Sequence, residues 1–207
     1  MITHRNAGQI TSDNPSNWYV LYPHTVVNGK RVPYNIELYP NSYKYLQYFR
    51  NQLENRVYIK KANRKWYEIW VPQDPIKWAK RKIVFRDIAD VPQFWLDESG
   101  AIINGDCYWI DVYNHTIEDE VFLALAVANS EFILQYYDTI FNNRLYSGKR
   151  RFMAQYVEQF PIPDPSTNYA QAAISVVRLI LSSNLSLSEK NHKIELINEL
   201  IMKAFTC

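Results

Sequence analysis

The alternation of apolar and polar positions divides the chain into a first part that reads mostly as strands and a second part that reads as helices. Residues 18–22, Trp-Tyr-Val-Leu-Tyr, form an aromatic and aliphatic run suited to a strand. Asn28-Gly29 then predicts a hairpin turn. A helix is expected after Pro40, capped by Asn41 or Ser42, with Leu46, Phe49 and Leu53 on one face. Further strands are predicted over residues 56–61, 65–71, 82–88 and 106–112, with a turn at Ser99-Gly100. In 65–71, Trp66 and Trp70 fall on one side and Tyr67 and Ile69 on the other, as in a central strand.

The pattern changes after residue 116. Glu118, Asp119 and Glu120 fit the first turn of a helix. Residues 121–141 are apolar nearly all round, so that helix is expected to be buried, with an interruption at Asn129-Ser130-Glu131. Residues 160–165, Phe-Pro-Ile-Pro-Asp-Pro, must be extended. A helix follows over 169–181. Ser186-x-x-Glu189 is a capping box opening a last helix with Ile194, Ile197 and Ile201 on one face. These elements predict an α+β fold: a mixed, mostly antiparallel sheet, a buried central helix and two C-terminal helices. Residues 1–165 are expected to form the core and 166–207 a helical extension of the same domain. The sequence contains no internal repeat.

Composition narrows the function. The 207 residues are 47% hydrophobic and 21% charged, which excludes a mainly disordered chain. Five glycines leave little room for a phosphate-cradling loop, and aromatic residues reach 15%. No apolar run is long enough to span a membrane, and the N-terminus shows no apolar export signal. With two distant cysteines, Cys107 and Cys207, a reducing cytoplasm is the expected compartment. The net charge of +2 conceals a strong asymmetry. Residues 1–49 sum to +2, 50–86 to +8, 87–120 to −9 and 121–207 to +1.

Catalytic patterns are missing. Asp13-Asn14-Pro15-Ser16-Asn17-Trp18 approaches the Asn/Asp-Pro-Pro-aromatic tetrapeptide of amino-methyltransferases, but Ser16 replaces the second proline and the ring comes one residue late. It reads as a turn into the first strand. The four histidines, at 4, 24, 115 and 192, lack metal-ligand spacing. Asp87, Asp90, Asp97 and Asp106 suggest a metal-dependent nuclease site less well than a solvated acidic edge.

Binding chemistry is present instead. Lys60, Lys61, Arg64 and Lys65 surround an expected hairpin tip at Ala62-Asn63, and Lys80, Arg81 and Lys82 form a second cluster. Arg144, Lys149, Arg150 and Arg151 form a third around Ser147-Gly148. Several cations on one face are what a nucleic-acid backbone requires. The interleaved Tyr58, Trp66, Tyr67, Trp70, Trp78 and Phe85 are read as sheet core.

The order of motifs then carries a resemblance. It runs through Ile36-Glu37-Leu38-Tyr39-Pro40 with Tyr45-Leu46, Leu53-Glu54-Asn55-Arg56, Lys65-Trp66-Tyr67 and Arg81-Lys82-Ile83-Val84. Phe94-Trp95-Leu96-Asp97 before Gly100 follows, then the Leu-rich run from Phe122 ending in Asn129-Ser130. Gln159-Phe160-Pro161-Ile162-Pro163 and Ile197-Asn198-Glu199-Leu200-Ile201 complete the series. Over residues 18–205 the chain resembles the C-terminal specificity (target recognition) domain of Taq-type adenine-N6 DNA methyltransferases and fused type II restriction–modification enzymes.

The resemblance implies a module that reads double-stranded DNA and positions it for base flipping. It implies no cofactor on this chain, with S-adenosylmethionine and methyl transfer on a catalytic domain in cis or in trans. The base-contacting residues of such families vary, so the eleven cations above are bets from charge placement. Three rival readings are a separate specificity subunit, a carbohydrate-binding module using surface aromatics, and a nuclease using the acidic block.

Overall fold

The computed structural model describes residues 1–14, 17–112, 117–145 and 147–206. Pro15 and Ser16 of the approximate methyltransferase tetrapeptide, and also His115 and Cys207, lie outside the described residues. The chain divides into two compact units, one formed by Tyr19–Trp78 and the other by Met1–Trp18 together with the chain from Ala79 on. The division therefore falls around an internal segment, away from residue 165.

The smaller unit, Tyr19–Trp78, begins with the predicted hairpin. Strands β1 (His24–Val27) and β2 (Lys30–Pro33) pair antiparallel, with Val27 opposite Lys30. Both turn residues have positive φ, Asn28 at 50° and Gly29 at 73°, as the two-residue turn demands. Residues 18–22, predicted as a strand, form none. After a 3-10 turn at Ile36–Leu38 come four short helices: α1 (Pro40–Gln47), α2 (Arg50–Glu54), α3 (Val57–Lys61) and α4 (Pro75–Trp78). Pro40 itself opens α1, preset for the first helical position, so Asn41 and Ser42 lie inside the helix rather than capping it.

Two predicted strands in this unit are replaced. Residues 57–61 are helical, and only Ile59 of that turn is buried. Ala62-Asn63 is not a hairpin tip but the helix stop. Asn63 takes φ +48°, and the Arg64 N–H returns to the Ile59 carbonyl at 3.2 Å, a Schellman closure. Residues 65–71 pair with no strand. Their carbonyls are bound instead by guanidinium groups. Arg56 Nη2 donates to the carbonyls of Trp66 and Glu68, both at 2.9 Å. Arg64 Nη1 donates to those of Ile69 and Trp70, both at 2.7 Å. Side-chain donors thus satisfy backbone acceptors that a ladder would otherwise have taken.

One buried base sits in this unit. His24 is 1% exposed, and its Nε2 lies 3.5 Å from Glu68 Oε2. Burial lowers its pKa below the ordinary 6.5; the Glu68 carboxylate opposes that effect and the Arg64 cation adds to it.

The larger unit is built on a three-stranded antiparallel sheet in the order β5-β3-β6. Strand β3 (Lys82–Arg86) is central, β5 (Phe94–Asp97) and β6 (Cys107–Asp111) flank it, and a two-residue strand β4 (Ile88–Ala89) pairs with β7 (Arg150–Arg151). The register sorts the two faces. Ile83 and Phe85, with their partners Leu96, Phe94 and Tyr108, belong to the main helical core. Val84, Trp95 and Trp109 face the other way and pack with Ile2, Ala7, Ile103 and Cys107. Lys82 shares that second face. It is 1% exposed, opposite Asp97 in register, and its Nζ is 2.7 Å from the Asp97 carboxylate.

The N-terminal segment runs beside β5. Ile10 donates to the Phe94 carbonyl at 2.8 Å and accepts from the Leu96 N–H at 3.1 Å. Ile10 holds φ +67° while fully buried. That region costs a β-branched residue about 1–2 kcal/mol, offset here by two backbone hydrogen bonds and side-chain burial.

The helical layer contains α5 (Glu118–Ala128) and α6 (Glu131–Ile140), which divide the single predicted run 121–141 at Asn129-Ser130. Ser130 caps α6 by accepting from the Ile133 N–H. A short α7 (Ala154–Val157) precedes the extended 160–165 segment. Helix α8 (Asn168–Ser182) buries Ala170, Ala173, Ile174, Val177 and Ile180, the apolar stripe of its helical period. Helix α9 (Leu187–Thr206) starts at the predicted capping box: the Glu189 N–H donates to Ser186 Oγ, and the Ser186 N–H to Glu189 Oε2. Both helices belong to the same buried cluster as α5 and the sheet. The fold is α+β, with every named strand pair antiparallel.

Asn129 joins the two layers. Its Oδ1 accepts from the Phe94 N–H at 3.0 Å, and its Nδ2 donates to the Phe94 carbonyl at 2.8 Å and the Leu125 carbonyl at 2.9 Å. Asn129→Leu is expected to lower unfolding free energy by about 3 kcal/mol in urea titration, since it strands buried polar groups. Lys82→Ala is expected to cost about 3–5 kcal/mol by leaving a buried carboxylate, while the Lys82→Met/Asp97→Leu double variant should be far milder. Acidification is expected to destabilise the smaller unit. Because the folded pKa of His24 is depressed, its contribution is complete above pH 6.5 and declines as pH falls below it. Thermal melts of wild type and His24→Gln from pH 7.5 to 5 check this; the variant should lose the decline.

Candidate nucleic-acid interface

The two units carry opposite charge. Tyr19–Trp78 holds ten Lys/Arg and four Asp/Glu, a balance of +6; the rest of the chain holds 13 and 17, a balance of −4. The +8 block seen in sequence straddles this division, so its members meet different fates.

In the larger unit, carboxylates engage the candidate cations. Lys80 Nζ lies 3.6 Å from Asp111. Arg81 reaches Glu98 at 2.8 Å and Glu118 at 3.2 Å, with its guanidinium 5.7 Å from the Phe122 ring centre. Lys82 is buried against Asp97, so it has no surface from which to reach a duplex; its place among the contact candidates is corrected. Arg144 and Arg150 both clamp Asp138, and Arg150 also donates to the Asp90 carbonyl at 2.6 Å. Those guanidinium groups hold the Asp138 carboxyl well below its ordinary value, at about 2. Arg151 pairs with Asp87 at 3.1 Å. Lys149 is half-buried, and its carbonyl accepts from the Leu145 N–H in the same loop. The third basic cluster therefore acts mainly as internal bracing.

The acidic block is the other half of the same arrangement. Asp97 is buried and Asp87 largely so, which corrects the reading of these residues as a solvated edge. Asp106 takes a separate partner, His4 Nδ1, at 2.5 Å. Among the described residues no group of three or more His, Cys, Asp or Glu is placed to hold a metal ion.

In the smaller unit the lysines remain open. Among the described residues only Arg50 of its ten has a carboxylate within ion-pairing distance, Glu54 at 3.6 Å. Lys60 and Lys61 are exposed at the end of α3, with Lys60 Nζ on Asn55 Oδ1 at 2.8 Å. Lys65 is exposed, and its Nζ stands 5.9 Å from the Tyr67 ring centre. Arg64 differs: its guanidinium binds backbone carbonyls and makes it a brace for the segment that bears Lys65. Lys30 and Arg31, just past the Asn28-Gly29 turn, are also exposed. The sequence reading passed over them because they fall outside the dense cation run, although a Lys-Arg pair beside a hairpin turn is itself a signal.

The aromatics of this unit do not fill a sheet core. Tyr67 and Trp78 are buried, but Trp70 is 59% exposed, and Tyr19, Tyr45 and Tyr48 are also open. Neither cluster of buried side chains draws on residues 19–78. Phe85, in the larger unit, is core as expected.

Residues 24–162 match the TaqI-like C-terminal specificity domain. The type II methyltransferase M.BanIII of Aneurinibacillus aneurinilyticus is 38% identical over 200 residues, covering 92% of this chain and 34% of the relative. The type II methyltransferase M.MjaIV of Methanocaldococcus jannaschii is 29% identical over 150 residues, covering 69% of this chain and 48% of the relative. The chain thus spans about a third and about half of the lengths of these two proteins. With a family match over residues 24–162, more than half of its length, this chain belongs to the TaqI-like C-terminal specificity domain family.

Proposed function

We propose that this chain reads a double-stranded DNA target for an adenine-N6 methyltransferase of a restriction–modification system and performs no chemistry of its own. The carrying observation is the charge division: a family specificity domain whose smaller unit holds +6, with its lysines left open to solvent. Lys60, Lys61 and Lys65 are the proposed phosphate contacts, supported by Arg64 as a brace. Lysine point charges at a phosphate backbone release counterions, which gives affinity without sequence information.

Methyl transfer belongs, on this reading, to a catalytic domain in the same chain or on a partner. The five glycines here serve turns and the N-terminal segment, and none forms a Gly-rich strand-to-helix loop suited to S-adenosylmethionine. No step is assigned to that cofactor on these residues. No helix among the described residues is long and apolar enough to cross a membrane.

A salt titration tests the proposal. Duplex binding, followed by fluorescence anisotropy, should weaken steeply with rising salt. The Lys60→Ala/Lys61→Ala/Lys65→Ala variant should bind all duplexes more weakly and flatten the log–log salt slope by about 3. Arg144→Ala, which loosens only an internal brace, should leave the slope unchanged. Failure to bind any duplex at low salt would overturn the reading.

A further inference from the structure

The smaller unit contains an open cleft of about 440 Å³, a size within the range of small-ligand sites. Three aromatic side chains line it: Tyr43, Trp66 and Tyr67. The Trp66 and Tyr67 rings meet edge to face at 5.4 Å and 89°, and Tyr43 stands 6.3 Å from Trp66. These walls are fixed from outside the cleft. The Tyr67 hydroxyl donates to the Tyr34 carbonyl at 2.7 Å, and the Arg50 guanidinium, not part of the lining, lies 5.3 Å from the Trp66 ring centre. Ile36, buried, adds apolar lining. The polar lining is Asn35, Glu37 and Lys65.

We propose that this cleft receives a single unstacked nucleobase, with Lys65 beside the attached phosphate. The inference rests on the DNA reading above and adds a base-binding site to it. An aromatic wall accepts the face of any base, and stacking on such a wall is a main source of affinity for unpaired nucleotides. The Asn35 amide offers a donor, Nδ2, while its Oδ1 caps the 3-10 turn by accepting from the Glu37 N–H at 3.4 Å. The Glu37 carboxylate only accepts, so it favours a base with an exocyclic amino group, adenine or cytosine, over thymine. A neutral sugar also suits aromatic walls with Asn and Glu. The Lys65 cation and the +6 balance of the unit favour an anionic ligand instead.

The test uses the full chain and three duplexes of one sequence: fully paired, with one extrahelical adenine, and with one extrahelical thymine. The extrahelical adenine should bind about tenfold more tightly than the paired duplex, the thymine less so. Replacing that adenine with 2-aminopurine should give a fluorescence change on binding that Trp66→Ala abolishes. Trp66→Ala and Tyr43→Ala should each remove most of the tenfold preference while holding affinity for paired duplex within about twofold. Glu37→Gln, at an exposed position, should keep the stacking gain and lose the adenine-over-thymine difference. Equal affinity for paired and extrahelical duplexes would overturn this inference and leave the DNA reading standing, as would a preference that survives Trp66→Ala. Binding to neither duplex would remove both. Salt-insensitive binding of a neutral oligosaccharide such as cellohexaose, without an extrahelical-base preference, would assign the cleft to sugars.

Discussion

The larger unit depends on the side chain of Asn129. It makes three buried hydrogen bonds, two to the backbone of Phe94 on an edge strand and one to Leu125 in the last turn of a buried helix. An edge strand presents unpaired backbone groups, and here an amide side chain accepts from the Phe94 N–H and adds a second donor, beside the Ile10 N–H, to its carbonyl. Ile10 pairs with the same strand from the N-terminal segment and accepts an unfavourable backbone angle to do so. The break between α5 and α6 follows directly. Asn129 leaves the helical path to reach the strand, and Ser130 restarts the next helix by capping it.

Charge organises the rest. In the larger unit, Lys80, Arg81, Lys82 and Arg151 meet carboxylates of the 87–120 stretch, while most cations of the +8 block lie in the smaller unit. In the smaller unit, two arginines bind carbonyls and the lysines have few carboxylates to meet. Identical residue types therefore do two jobs. A guanidinium with five directed donors makes a good brace for irregular backbone, and a lysine on a flexible stem makes a good solvent-facing charge.

This difference explains what could be read from the sequence. Apolar periodicity identified α8, α9, β3 and β6, and the Asn28-Gly29 pair the first hairpin, because each has a repeating pattern or a residue with a specific backbone requirement; it did not mark β5 as a strand. It failed over residues 56–71, where alternation mimicked strands. The outcome there turned on Arg56 and Arg64, which supply side-chain donors to backbone carbonyls, a contact that no period encodes. Charge density marked a cation-rich stretch but could not separate Lys65, open to solvent, from Lys82, buried against Asp97. The partners that decide exposure lie far away in sequence.

Residues 19–78 leave the larger unit after Trp18 and return to it at Ala79, and neither buried cluster of that unit uses any of them. Two sets of constraints thus act on separate stretches of one gene. Substitutions in the larger unit are filtered by packing, where a lost methylene or an orphaned carboxylate is felt at once. Substitutions in the inserted stretch meet mostly surface, a few arginine braces and short helices. Such a segment can change while the larger unit keeps the same core. On the proposed DNA-reading role, that is a route to new recognition without a new fold.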